Sequence, residues 1–280
     1  MFDAIFFKRF FRRKATIVGL AILIVFLLAA TIGPLLCRYD PLENDVTMIH
    51  QPPSADHWFG TDYLGRDIFT RIIYGARVSL SISVVGVFCG SAVGVLLGVC
   101  AGYFGKWVNS LISRILDILL AFPGLLLAIM IVAIMGKGLF NTAFAIAVMS
   151  IPSVARMVRG VVLKIRSSEY IGACKVMGAS NRWIIFTHII PNAVSQIIVN
   201  MTLSLGTSIL TASSLSFLGL GVQPPDPEWG AMLNKAREVV RQYPLEAIIP
   251  GIAITLVVLS FSLVGDGLRD ALDPQLKNRS

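Results

Sequence analysis

The stretch EYIGACKVMGASNRWIIFTHIIPN, residues 169–192, decides how the chain is organised, because it is a polar interval between two apolar runs. It is too amphipathic to cross a bilayer. Ile171, Cys174 and Gly178 follow helical spacing, and glycine is common just past a helix C-terminus. Pro191 suits the first turn of a new helix. The pattern predicts a short exposed helix, a break at Gly178, and a membrane helix that begins at Pro191.

The composition is that of a membrane protein. Of the 280 residues, 55% are hydrophobic and 14% are charged, and the mean hydropathy is +0.77, outside the usual range of soluble domains. A helix needs roughly 20 apolar residues to cross about 30 Å of hydrocarbon. The charge-free runs are residues 15–37, 78–105, 118–136, 138–155, 183–225 and 247–265. Glycines and prolines crowd the end of the fifth run, so the sequence predicts an all-α integral membrane protein with six transmembrane helices.

The distribution of Lys and Arg predicts the orientation. With both termini cytoplasmic, the inner segments are strongly positive and the outer segments slightly negative, as the positive-inside rule requires. Topology and lipid head groups therefore explain the net charge of +8, and no nucleic-acid partner is predicted. The predicted segments are a cytoplasmic amphipathic N-terminus (1–14), the first transmembrane helix (15–37), an extracytoplasmic segment (38–77), a five-helix core (78–268) with a cytoplasmic coupling loop (164–191), and a cytoplasmic tail (269–280).

Residues 1–14 interleave Phe with basic side chains. This suits either a helix that lies on the anionic inner leaflet, with membrane lipid as its partner, or a simple positive flank. Further along, GTD and LGRD within residues 57–80 predict turns and a helix cap, and the apolar spacing after them predicts an amphipathic helix on the membrane surface.

The stretch 169–192 also carries a resemblance to a known family. Its matching residues are Glu169, Tyr170, Ala173, Lys175, Gly178, Ala179, Ser180, His188, Ile189 and Pro191. They resemble the loop of the membrane subunits of ABC importers, and most closely that of the dipeptide, oligopeptide, glutathione and nickel permeases. Gly172 stands where the general pattern has a glutamate, so an ion pair attributed to that glutamate does not carry over. Three further blocks, residues 57–80, 216–237 and 265–274, resemble the same subfamily in the same order.

The resemblance implies a type I ABC importer permease fold in the bacterial cytoplasmic (inner) membrane. The implied partners are a homologous second permease subunit, two ATPase subunits that bind ATP and Mg, and an extracytoplasmic solute-binding protein. The residues expected to couple this chain to the ATPase are Glu169, Tyr170, Ala173, Lys175, Gly178, Ala179, Ser180 and Pro191. By the resemblance, the outer loop faces the binding protein or closes the outer gate, and Glu228 and Trp229 are expected to contact the binding protein.

Two of the predicted spans have unusual patterns of small or polar residues. In the second span Gly86, Gly90, Gly94 and Gly98 recur every four residues and place a flat stripe along one helix face. The stripe suits packing within the chain or sliding against a partner. In the fifth span a polar series predicts either a translocation wall or interhelical hydrogen bonds. The predicted wall residues are Gln196, Asn200, Ser204, Thr207 and Ser208. This series carries no charge, which favours a neutral or zwitterionic solute.

Enzyme signatures are missing from the sequence. There is no GxxxxGK[ST] phosphate cradle, no GxSxG and no HExxH, so the chain is predicted to be a non-catalytic subunit that binds no cofactor. His50 and His57 have no supporting cluster for a metal site.

The predicted function is the permease subunit of an ATP-driven importer of di- or oligopeptides, with glutathione among the candidates. One alternative is a permease for nickel or a metal chelate. Another is an ion-coupled secondary transporter that uses Asp117, although an i, i+3 pair with Arg114 at the inner boundary explains this carboxylate more simply.

Overall fold

The computed structural model describes residues 4–272, and this part of the chain contains helices and connections but no β-strand. The all-α prediction is confirmed for these residues. The helices are α1 (Ala4–Phe10), α2 (Lys14–Thr31), α3 (Gly33–Leu36), α4 (Ile68–Phe104), α5 (Lys106–Leu120), α6 (Gly124–Met135), α7 (Leu139–Arg166), α8 (Glu169–Val176), α9 (Asn181–Ile184), α10 (Ile190–Phe217), α11 (Trp229–Ala236) and α12 (Leu245–Leu272). A π-helical turn, Ile185–Ile189, joins α9 to α10.

Five helical segments are long and apolar enough to cross a bilayer: α2, α4, α7, the run Asn181–Phe217, and α12. A sixth crossing is present only if α5 and α6 are counted as one span bent by 88°. With 12 residues, α6 is about 18 Å long at 1.5 Å per residue, less than the hydrocarbon thickness. The span predicted at 118–136 is therefore not one continuous helix, because its first residues belong to α5 and the rest to the bend and to α6. Pro123 precedes α6, and proline disfavours helical geometry in the residue before it.

Helix α4 is longer than the predicted second span. Asp67 caps its N-terminus by accepting a hydrogen bond from the backbone N–H of Thr70 at 2.7 Å, and Gly60 and Gly65 adopt positive φ angles in the turns before it, so the turn and cap predictions are confirmed. The helix then continues without a break for 37 residues. The predicted surface helix is wrong as a separate element, because no turn residue interrupts the chain between this segment and the span.

The glycine stripe of α4 faces α7. A Cβ atom at Gly98 would lie 2.6 Å from the carbonyl oxygen of Ala155 and 2.8 Å from Cβ of Val158, and at Gly94 it would lie 2.8 Å from Cβ of Val154. Gly86 and Gly90 meet α7 in the same way. Because only hydrogen fits at these positions, the two backbones approach closely along their length. The stripe thus packs within this chain and is not available for sliding against another subunit.

Helix α1 packs on the end of α12. Phe6 and Phe10 are buried with Val264 and Ala271 of α12, and Arg13, just after α1, forms an ion pair with Asp270 at 2.5 Å. Phe7 and Phe11, on the other side, are exposed. The N-terminal segment is therefore an amphipathic helix whose inner face is covered by α12, while two Phe side chains on its other face are exposed.

The two histidines before α4 pair separately with carboxylates. His50 Nδ1 lies 2.5 Å from Glu246 Oε1 at the start of α12, and His57 Nδ1 lies 3.0 Å from Asp67 Oδ1. The first contact ties the segment between α3 and α4 to α12. The second holds the carboxylate that caps α4.

Candidate coupling helix and translocation groove

Helix α8 is a short helix with one buried face. Ile171 is 0% exposed and Cys174 is buried, and both belong to an apolar cluster with Val158 and Val162 of α7 and Tyr103 of α4. The rest of α8 is exposed. Glu169 lies in its first turn and Lys175 in its last, the arrangement of charge that the helix dipole favours. One face of α8 is therefore fixed to the membrane helices while the other is free to bind a partner.

The C-terminus of α8 is closed by a Schellman motif. The N–H of Gly178 donates to the carbonyl of Lys175 at 3.0 Å, and the N–H of Ala179 donates to the carbonyl of Cys174, also at 3.0 Å. Gly178 has φ +84°, a left-handed conformation that glycine adopts without a Cβ penalty. Ser180 then caps the next helix by accepting from the N–H of Trp183 at 3.3 Å. The predicted helix end at Gly178 is confirmed, and it is followed at once by the next helix.

Pro191 lies in the first turn of α10, which begins at Ile190, so the predicted position of this proline is confirmed. Proline is tolerated in the first turn of an α-helix, and Pro191 is exposed. The sequence did not predict that the helical run starts earlier, at Asn181, and reaches α10 through the π-helical turn Ile185–Ile189. Only Met177–Ser180 therefore separate α8 from the membrane helix that follows.

The other predicted coupling residues lie together around α8. Glu169, Tyr170, Ala173, Lys175, Gly178 and Ser180 are exposed, and Ala179 is half-buried. Lys175 also lies with its ammonium 5.4 Å from the centre of the Tyr103 ring, and Tyr103 donates to Asn181 Oδ1 at 2.7 Å. These contacts join α4, α8 and the start of the next helix.

The structure adds two residues to this surface that the sequence reading did not select. Val176 is 90% exposed and Met177 is 78% exposed, at the tip where α8 ends. Both fall outside the buried face set by Ile171 and Cys174. The sequence does contain a signal for these two residues. They are adjacent apolar residues that lie off the buried face of an amphipathic helix, and such side chains commonly mark an interaction surface.

The polar series of α10 divides between a groove and the protein interior. An open groove of about 460 Å³ lies between α7, α10 and α12. Its lining residues are Met157, Ser195, Gln196, Val199, Asn200, Leu203, Arg269 and Leu272. Ser208 is 2% exposed and its hydroxyl donates to the carbonyl of Leu205 at 2.8 Å, so its assignment to a translocation wall is wrong. Ser204 and Thr207 lie outside the groove lining, and Thr207 donates to the Ser204 carbonyl at 3.0 Å.

The expected binding-protein contacts are both buried. Trp229 is 0% exposed, packs edge-on against Phe26 at 5.7 Å between ring centres, and donates from Nε1 to the carbonyl of Ile72 at 3.1 Å. Glu228 is also 0% exposed and caps α11 by accepting from the N–H of Ala231 at 2.8 Å. The contact prediction is wrong for these two side chains, because the loop folds inward and they hold α11 against α4.

Burial also changes the chemistry of Glu228. Desolvation raises the pKa of its carboxyl group, although hydrogen bonds from the backbone of Gly230 and Ala231 and from the hydroxyls of Ser216 and Ser79 act in the opposite direction. The carboxyl therefore serves as a structural anchor between α11 and α4.

Asp117, the carboxylate of the ion-coupled alternative, pairs with a different arginine from the one predicted. Its Oδ1 lies 2.8 Å from Nη2 of Arg156 on α7, and both side chains are more than half exposed. The predicted pair with Arg114 is wrong, because Asp117 pairs instead with an arginine of the neighbouring helix α7. An exposed ion pair of this kind stabilises weakly and gives no sign of a proton path.

Comparison with known proteins places this architecture. Residues 94–278 match the family described as "Binding-protein-dependent transport system inner membrane component". The chain belongs to this family. Residues 4–53 of the permease also match the "N-terminal TM domain of oligopeptide transport permease C". The resemblance drawn from residues 169–192 and the three further blocks is confirmed, and the protein is a multi-pass ABC importer permease of the bacterial inner membrane.

Individual relatives of the permease have similar lengths. It is 50% identical over 272 residues to the dipeptide transport system permease protein DppC of Alkalihalophilus pseudofirmus, with 97% of this chain and 90% of the relative covered. It is 48% identical over 275 residues to the glutathione transport system permease protein GsiD of Pectobacterium atrosepticum, with 98% and 91% covered.

Solved structures share the fold of the permease. The MetNI methionine ABC transporter in an inward-facing conformation superposes with a TM-score of 0.61 at 20% identity, covering 72% of this chain and 97% of that chain. An amino acid ABC transporter gives a TM-score of 0.55 at 17% identity, covering 71% and 92%. At these identities the similarity concerns the fold alone, and it confirms the predicted type I permease architecture.

Proposed function

We propose that this permease is one membrane half of an ATP-driven importer of di- or oligopeptides, and that the surface of α8 with Met177 and Gly178 binds an ATPase subunit of the same complex. The proposed complex contains a homologous second permease, two ATPases that bind ATP and Mg, and an extracytoplasmic binding protein that delivers the solute. The chain itself is then non-catalytic, with both termini and α8 in the cytoplasm. The names of the two relatives, a dipeptide and a glutathione permease, support a small peptide as the solute.

The observation that carries the proposal is the geometry of α8. Its tip exposes Val176 and Met177, and exposed apolar side chains of this size gain free energy when a partner covers them. Beside them lie the exposed Glu169 and Lys175, which supply a charged rim. An apolar centre with a charged rim is the usual anatomy of a protein–protein contact.

The connections of α8 explain how a push on this surface reaches the membrane. Ile171 is packed against α4 and α7, and only residues 177–180 separate α8 from the helix that lines the groove. Short connections and a close-packed contact transmit displacement because packed interiors deform little. ATPase closure would therefore move α7 and α10 together. For coupling, the α8 surface needs different contacts in the two nucleotide states.

Reconstitution of the complete complex in proteoliposomes tests the proposal. Radiolabelled dialanine uptake should require ATP inside, the binding protein outside, and both permeases. A proton gradient without ATP should drive none. Uptake of Ni²⁺ or a nickel chelate in preference to peptide would replace the proposed solute, and gradient-driven uptake without ATP would contradict the coupling.

A further inference from the structure

The groove between α7, α10 and α12 contains a charge that the polar series of α10 does not supply. Arg269, in the last turn of α12, lines it together with Gln196 and Asn200 of α10. The volume of about 460 Å³ falls within the range of small-molecule sites, about 300–1,000 Å³. The groove is thus a polar cleft that is lined by one cationic side chain and has a volume suited to a short peptide.

Arg269 is exposed and has no carboxylate within ion-pair distance among residues 4–272. Its chain neighbour Asp270 is paired with Arg13 at 2.5 Å, which leaves the Arg269 guanidinium to the groove. Guanidinium presents a planar fork of N–H donors that matches both oxygens of a carboxylate.

The two amides that line the same groove supply complementary groups. Gln196 and Asn200 are one helical turn apart, so they lie on the same face of α10. The Oδ1 atom of Asn200 is buried and accepts no hydrogen bond in the described part of the chain. A buried acceptor without a donor is destabilising, and an N–H group from a bound solute would relieve this.

We propose that Arg269 binds the carboxylate of the transported peptide in this groove, while Gln196 and Asn200 hydrogen-bond its amide or ammonium groups. The proposal rests on the proposed function and sharpens it. Arg269 then selects solutes that carry a free carboxylate. A peptide meets a donor for its anionic end and acceptors for its N–H groups across the same cleft, whereas a solute without a carboxylate leaves the guanidinium unpaired.

Equilibrium binding to the purified membrane complex, without binding protein or nucleotide, tests the assignment directly. The probes are dialanine and its C-terminal amide, which differ only in the carboxylate. The wild-type complex in neutral-lipid nanodiscs should bind dialanine about tenfold more tightly, the size expected for a charge-assisted hydrogen bond. Arg269→Gln should remove this preference, Arg269→Lys should keep part of it, and Arg12→Gln, which removes an exposed basic side chain elsewhere, should leave it unchanged.

Each other outcome overturns the proposal in a recognisable way. A wild-type complex that carries dialanine with ATP but binds both probes equally, or not at all, refutes the role of Arg269 and leaves the proposed function in place. A preference that survives Arg269→Gln does the same. If both probes lose affinity equally, and only when anionic lipid is added to the nanodiscs, Arg269 binds a lipid head group instead. Absence of any ATP-driven dialanine uptake refutes the proposed function and this proposal together.

Discussion

Gly178→Ala is the substitution that tests the α8 turn most sharply. A Cβ at this position would meet no atom within 4 Å, so steric overlap with neighbouring residues is excluded as a cause of any effect. The backbone at φ +84° costs a residue with a Cβ about 1–2 kcal/mol. That free energy corresponds to a factor of about 5–30 in the population of the correctly formed turn.

Gly172→Ala is the matched control, because Gly172 lies in α8, just before this turn, and a Cβ there also meets nothing within 4 Å, without a positive φ. In a helix interior, alanine should stabilise by about 0.5–1 kcal/mol relative to glycine. Hydrogen exchange in the assembled complex is the assay. In Gly178→Ala the amides of residues 178 and 179, which close the turn, should exchange about 5–30 times faster, and ATP-driven uptake should fall. Gly172→Ala should show slower exchange in α8.

Gly178→Asn should retain more protection and more uptake than Gly178→Ala, since asparagine tolerates the left-handed region better than other residues with a Cβ. Unchanged exchange at residues 178 and 179 in Gly178→Ala would refute the assigned turn. Faster exchange with wild-type uptake would refute the link between this turn and transport.

Three further predictions concern helix packing and the buried carboxyl group of Glu228. Gly98→Ala places a methyl group 2.6 Å from the Ala155 carbonyl and should lower the free energy of unfolding by about 1–3 kcal/mol. The methyl group of Gly160→Ala on α7 meets nothing, so this control should not lower it. Equal shifts of the two melting temperatures in detergent would contradict the close packing of the glycine stripe against α7. Trp229→Ala, at a side chain with 0% exposure, should cost about 3–5 kcal/mol in the same assay, and a loss below about 1 kcal/mol would show that it is not a core residue. Because burial raises the pKa of Glu228 above its ordinary 4.5, the folded state binds this proton more tightly than the unfolded state. Its carboxyl group therefore favours folding most below pH 4.5, and this contribution is lost as the pH rises through the raised pKa. The free energy of unfolding of the wild type, relative to that of Glu228→Gln, should fall as the pH rises from 4.5 through the raised pKa. A difference between the two proteins that does not change with pH would disprove the shift.

The local signals in the sequence predicted local structure well. Gly178 predicts a left-handed backbone conformation and Asp67 predicts a helix cap, and the structure has both. The glycines that recur every four residues predict a packing face on α4, but a pattern on one helix does not predict which other helix packs against it. That α7 fills the stripe depends on tertiary packing.

The wrong predictions have a physical cause of the same kind, namely tertiary contacts between residues that are distant in sequence. The sequence places Pro191 correctly in the first turn of α10, but it does not predict the π-helical turn that joins this helix to α9. The resemblance predicts that Trp229 and Glu228 contact the binding protein, and aromatic and charged residues in a loop usually do reach the interface or water. Here the Trp229 N–H finds the Ile72 carbonyl and the Glu228 carboxylate finds the end of α11, and those partners are distant in sequence. The sequence does not predict that Arg269 lines the groove, because the polar series lies on α10 and Arg269 reaches the groove from α12 through tertiary packing.

The most direct test of the central claim is site-directed cross-linking from Val176, the most exposed side chain at the tip of α8. Val176→Cys is placed in a chain whose four cysteines are replaced by serine, and the assembled complex is treated in inside-out vesicles with a short thiol cross-linker. The account predicts a cross-link to an ATPase subunit whose yield changes between the nucleotide-free and ATP-bound states. Labelling of this cysteine only from the outside of intact cells, with no cross-link to the ATPase, would contradict it.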